Sequence, residues 1–155
     1  MTDVAAMTSR QAPWLHVVPE ERDTSVAVAH VESEGGRVVA LDGAKMRDVE
    51  GLFREYVREF RFPEYFGWNW DAFYECLREL EALPARSYLT VVSHAEEVLR
   101  KSASDLLIYL DILKETSKWW ADSFALSSEW GGGEVPFNTI FLCPPGALAN
   151  FRSTV

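Results

Sequence analysis

The sequence predicts an α/β domain built on a small parallel β-sheet with crossover helices. Three observations carry this expectation. Short runs of strand-forming residues alternate with apolar stripes at helical spacing, in the order strand, two helices, strand, two helices, strand across residues 37–143. A chain of 155 residues in which 48% are apolar is of a size to fill one core. No repeat of 20 to 50 residues and no low-complexity tract suggests a solenoid or a disordered chain.

The elements follow in order. Residues 1–12 read as a loose tail. Trp14 to Val18 and Ser25 to Val31 are rich in strand formers, the second run alternating with small Ala residues, and Glu34-Gly35-Gly36 turns the chain into Arg37 to Leu41. Residues 1–36 are therefore expected to form a tail and a β extension on the same domain as residues 37–155. From Met46 to Phe60 the residues Met46, Val49, Phe53, Tyr56, Val57 and Phe60 share one helical face. Phe62 to Gly67 breaks that period with a Pro and a Gly. A second helix follows with Asn69 as N-cap, Phe73, Cys76, Leu77 and Leu80 as apolar stripe, and Pro84 at its end. Tyr88 to Val92 reads as a strand, and Ser93-His94-Ala95-Glu96 has the spacing of a capped helix start. Leu106, Leu107, Tyr109, Leu110 and Leu113 predict a helix from Ala103 to Ser117, with Trp119-Trp120 opening an insertion that runs to Glu134. Gly131-Gly132-Gly133 is a loop without the Lys-Ser/Thr of a phosphate-binding P-loop. Pro136 to Cys143 is the last strand, closed by Pro144-Pro145.

Charge and cysteine usage narrow the function classes. The net charge of -9 argues against a nucleic-acid backbone as partner, which would require clustered Lys and Arg, and suits a basic protein or simple solubility. Met1 to Arg10 lacks a basic region followed by an apolar run, and nothing approaches the ~18 apolar residues of a membrane span, so a cytoplasmic chain is expected. Cys76 and Cys143 have no C-x-x-C or nearby His and read as two buried thiols rather than a disulfide or zinc site. His16, His30 and His94 stand in strand-like or helix-start contexts, and no nucleophile and base share a persuasive spacing. No catalytic residue, cofactor or metal is expected.

The loop and second helix, residues 62–83, carry five acidic and one basic side chain, a net -4 on 22 residues. With Phe73 set at zero and roughly 100° per residue, Asp71 and Glu75 fall near 160° and 200°, pointing away from the core together. Asp71 has a local reason to be there, in the first turn of a helix. Glu75 does not, and like charges at i,i+4 repel by a few tenths of a kcal/mol, so the pair reads either as a solvated acidic face or as a site for a cationic partner. Arg78 is the internal candidate to neutralise Glu75. Tyr65, Phe66, Trp68, Trp70, Phe73 and Tyr74 place six rings within ten residues. Phe66, Trp70 and Phe73 read as core, whereas Tyr65, Trp68 and Tyr74 are the interface candidates, since rigid aromatics beside charges favour protein contacts.

The stretch Phe62-Pro63-Glu64-Tyr65-Phe66-Gly67-Trp68-Asn69-Trp70-Asp71-Ala72-Phe73-Tyr74-Glu75-Cys76-Leu77 resembles the barstar family, whose motif is Pro-Glu-Tyr-aromatic-Gly-x-Asn-x-Asp-Ala-aromatic running into a Cys-Leu helix. The similarity extends from about Arg37 through Cys143, with residues 1–36 and the segment 119–134 as additions. The resemblance implies a barstar-like fold and a cytoplasmic, non-catalytic inhibitor of a secreted guanyl-preferring microbial ribonuclease of barnase type, bound 1:1. In that family the second helix and preceding loop plug the enzyme's cationic active site. Tyr65 matches the ring that stacks on the enzyme's catalytic His, Asp71 a contact carboxylate, and Gly67 and Asn69 interface positions of the loop. Glu75 stands where the family has Asp, and Tyr74 where it has Trp. Glu115 aligns by spacing with one further interface carboxylate on the later helix. The other reading is a barstar-like immunity or regulatory module for a different basic toxin or protein.

Overall fold

The computed structural model describes residues 4–122 and 134–155. Its strands are β1 (Leu15–Pro19), β2 (Arg37–Asp42), β3 (Tyr88–Ser93) and β4 (Phe137–Cys143), and its helices are α1 (Val4–Met7), α2 (Ser25–Ser33), α3 (Val49–Phe60), α4 (Trp70–Glu79), α5 (Ala103–Ala121) and α6 (Pro145–Thr154). All strand pairs are parallel, in the order β1-β4-β3-β2. Parallel neighbours require long crossovers, which α3 and α4 supply between β2 and β3, and α5 between β3 and β4. The expected mixed α/β fold on a parallel sheet is present.

Helices cover both faces of the sheet, which is why the central strands β3 and β4 are buried along nearly their whole length. On one face Tyr88, Phe137 and Phe141 pack beneath Phe53, Tyr56, Phe73, Leu77, Tyr109 and Trp120. On the other, Leu89 and Ile140 pack against Met7, Val18, Ala27 and Val31. Inside the larger core the hydroxyls of Tyr56 and Tyr109 bond each other at 2.8 Å, and burial pushes both phenols far above their ordinary range. At the Gly35-Gly36 turn into β2, a Cβ on Gly36 would lie 2.1 Å from Ser87 Oγ and 2.8 Å from the Val31 carbonyl oxygen, so no larger residue fits.

Five expectations need correction. Ser25–Ser33 is a helix, not a strand. Its buried residues Ala27 and Val31 are four apart, Val26 faces out, and the connection from β1 to the parallel strand β2 has to be a crossover. The N-terminal segment thus adds one edge strand, β1 beside β4, and a helical cover for the second face. Within the segment expected to be a loose tail, α1 buries Met7 against that face. The helix start at Ser93-His94-Ala95-Glu96 is a single 3-10 turn, Ala95–Glu97, whose preceding residue His94 is left-handed and makes no side-chain cap. After Pro144-Pro145 the chain continues into α6, with Pro145 in its first turn, where a missing N–H costs nothing. Helix α5 runs past Ser117 to take in Trp119 and Trp120; Trp120 joins the main core and donates Nε1–H to the Leu77 carbonyl at 2.9 Å. The Gly131-Gly132-Gly133 loop and most of the 119–134 insertion lie outside the described residues.

Candidate functional site

The loop before α4 is fixed at both ends by backbone chemistry. Arg61 takes a left-handed conformation, φ 56°, that ends α3, and the Phe62 N–H caps the Val57 carbonyl at 3.1 Å. The Phe66 N–H closes a turn on the Pro63 carbonyl at 3.0 Å. At the other end Asn69 caps α4, its Oδ1 accepting the Ala72 N–H at 2.8 Å while its Nδ2 donates to the Gly67 carbonyl at 3.1 Å. Both polar atoms of that carboxamide are therefore occupied within the loop, and Asn69 and Gly67 shape the surface through each other.

Aromatic packing fixes what lies between. Phe53 of α3 meets Phe66 at a centroid distance of 5.4 Å, Trp70 at 5.0 Å, Phe73 at 5.5 Å and Trp68 at 6.4 Å. Phe66 and Phe73 are buried as expected, and Trp70 is half-buried against the same cluster. Trp68 holds φ at 50°, a left-handed value that costs a bulky residue about 1–2 kcal/mol, and its ring leans on Phe66 and Phe53 while remaining 49% exposed. Tyr65 projects further, 74% exposed. Partial desolvation, with the carboxylates of Glu79 and Glu81 nearby, holds its phenol above the usual range. A small cleft of about 140 Å³ beside Tyr65 is lined by Pro63, Cys76, Glu79 and Glu81 among others.

Asp71 and Glu75 are both exposed on α4, and among the described residues neither enters an ion pair. Arg78 does not neutralise Glu75. Its guanidinium carbon sits 4.0 Å from the centroid of the half-buried Tyr74 ring, one helical turn earlier. The structure thus brings Tyr65, Gly67, Trp68, Asn69, Asp71, Tyr74 and Glu75 together on one loop and one helix. Glu115 is exposed on α5, the neighbouring helix that packs on α4 through Tyr109 and Trp120. Sequence reasoning did not single out Phe53 as the platform beneath the loop, and it set Arg78 against Glu75 rather than on Tyr74; the i,i+4 spacing of Tyr74 and Arg78 was the available signal for the second. Among the described residues no group of three or more His, Cys, Asp or Glu is placed to hold a metal ion, and no helix is long and apolar enough to cross a membrane.

Fold and site define a small parallel α/β module that presents a preorganised acidic and aromatic surface. Over residues 36–128 the chain matches the family described as "Barstar (barnase inhibitor)", and it belongs to that family. The match holds β2, α3, the aromatic loop, α4, β3 and α5, while α1, β1 and α2 precede it and β4 and α6 follow it. A similar protein from Bacillus subtilis (strain 168), named "Putative ribonuclease inhibitor YrdF", is 27% identical over 93 residues, which is 60% of this chain and 99% of that one. Membership of the family supports a ribonuclease-inhibitor role and points to a non-catalytic protein.

Proposed function

We propose that this protein acts in the cytoplasm as a 1:1 inhibitor of a secreted, guanyl-preferring ribonuclease of the barnase type. In this reading the α4 face and its preceding loop enter the enzyme's cationic active site. The observation that carries the reading is the pair Asp71 and Glu75, exposed and without ion pairs among the described residues, next to rings held in place by Phe53. A groove that binds RNA phosphates must present Arg, Lys and His, and two carboxylates on a rigid helix compete for those cations through charge-assisted hydrogen bonds. Rigidity favours affinity because little side-chain freedom is left to lose on docking. Tyr65 and Trp68 supply exposed ring area beside those charges, the arrangement in which aromatic anchors contribute most. Family membership and the name of the Bacillus subtilis relative support the same direction. Glu75 is one methylene longer than the family Asp, so it suits a cation set slightly deeper in the groove.

RNA cleavage by a panel of purified barnase-type ribonucleases, titrated with this protein, tests the proposal. Loss of activity that reaches zero at one equivalent for at least one enzyme is the expected result. Undiminished cleavage by every enzyme at micromolar protein overturns it and leaves a barstar-like module for another basic toxin or protein as the reading to pursue.

A further inference from the structure

Arg78 is the only basic residue in the segment 62–83 and shares the outward side of α4 with Asp71, Tyr74 and Glu75, at spacings of seven, four and three residues. A cation there is at odds with a surface meant for a uniformly cationic groove. It lies three residues from Glu75 and one from Glu79, yet among the described residues it makes no ion pair with either. Instead its guanidinium is laid over the Tyr74 ring at 4.0 Å, and its Nε is enclosed without any hydrogen-bond partner. The position in the last turn of α4 accounts for a positive charge being tolerated, since the helix C-terminus favours cations. It does not account for a guanidinium held on an aromatic ring with an enclosed donor left open, because a solvated side chain would satisfy the dipole equally well.

We infer that Arg78 is a specificity determinant of the inhibitory face, selecting a ribonuclease whose cationic groove carries an Asp or Glu carboxylate opposite it. The inference rests on the proposed ribonuclease-binding role of the same face. Chemically, the ring of Tyr74 holds the guanidinium in place before the partner arrives, so a facing carboxylate gains a charge-assisted bond at little ordering cost. A nuclease offering Lys or Arg at that point instead meets a like charge, and the face rejects it even though Asp71 and Glu75 would attract it. Discrimination of this kind, by a repulsive element set among attractive ones, separates partners that share the same active-site chemistry.

The test is a double-mutant cycle on whichever barnase-type ribonuclease the unaltered protein inhibits most tightly. Dissociation constants are measured for Arg78→Ala and Arg78→Gln against the native enzyme and against enzymes in which each Asp or Glu around the active-site groove is changed singly to Ala. One carboxylate whose removal leaves Arg78→Ala with no further effect, a coupling of tenfold or more, is expected, together with thermal melting of both variants close to that of the unaltered protein. Coupling below twofold at every carboxylate, or tighter binding by Arg78→Ala, overturns the inference while leaving the inhibitory role standing. Failure of the unaltered protein to inhibit any enzyme of the panel removes the proposed function and this inference with it.

Discussion

A phenol ring that is 74% exposed gives the folded monomer almost nothing, so Tyr65 separates binding from stability better than any neighbour. Tyr65→Ala should weaken ribonuclease binding by about 2 kcal/mol or more while shifting stability by no more than ~0.5 kcal/mol, as read by calorimetric titration and thermal melting. Asn69 behaves differently because its carboxamide is committed to Ala72 and Gly67. Asn69→Ala should cost about 1 kcal/mol of stability as a lost cap, and binding should weaken with it because the loop loses its clamp; equal binding with a lowered melting temperature would show the clamp is irrelevant to the face. At this scale much of the site was legible in the chain. Asn69 announced a cap, and 100° geometry placed Asp71 and Glu75 outward. What was not legible was the partner of Arg78, since Glu75 at i−3 and Tyr74 at i−4 are both within reach on a helix and only packing decides between them.

Among the elements, period and punctuation located α3, α4, β3 and β4, because each has an apolar face matched to its own repeat. The same rule misread Ser25–Ser33, where alternation of Val with Ala mimics a strand although tertiary context demands a crossover helix. It also passed over α6, where a Pro pair reads as a stop but Pro145 serves as a first helical turn. The junction of β1 with β4 contains a titrating device. His16 is buried, its Nε2 sharing a 2.9 Å hydrogen bond with Asn138 Oδ1, whose Nδ2 donates to the Ser9 carbonyl. Desolvation lowers the His16 pKa below its ordinary 6.5, outweighing the bond to Asn138, which raises it. The folded state then binds a proton less readily than the unfolded chain. Stability from this group is complete above about 6.5 and is lost as pH falls from there toward the lower folded value. Thermal melting at pH 5 and pH 7.5 should therefore show an acid loss that shrinks in His16→Gln; an unchanged acid loss would assign it to other groups. His94, raised mainly by its bond to Asp42, has the opposite sign and is exposed, so its share is small.

For the whole molecule, the charge of -9 says little by itself, but net -4 of it falls on the 22 residues of the loop and α4, which under the proposed function would meet a basic groove. An acidic face meeting a basic groove should speed encounter at low salt. The association rate with the inhibited nuclease should fall at least tenfold between about 20 mM and 500 mM NaCl, whereas a flat rate would contradict steering. The fold serves this face from a distance: the parallel sheet anchors α3 and α5, Phe53 supports the loop from below, and Trp120 ties α5 to the carbonyl of Leu77. The N-terminal addition lies on the sheet's second face and β1 edge, where it contributes core. Whether the α4 face is the inhibitory surface is decided most directly by calorimetric titration of Asp71→Ala into the ribonuclease that the unaltered protein inhibits. Dissociation at least 100-fold weaker, about 2.7 kcal/mol or more, with stability lowered by no more than the ~1 kcal/mol that a first-turn carboxylate contributes, is the predicted result; a change of less than about fivefold, near 1 kcal/mol, would contradict the account.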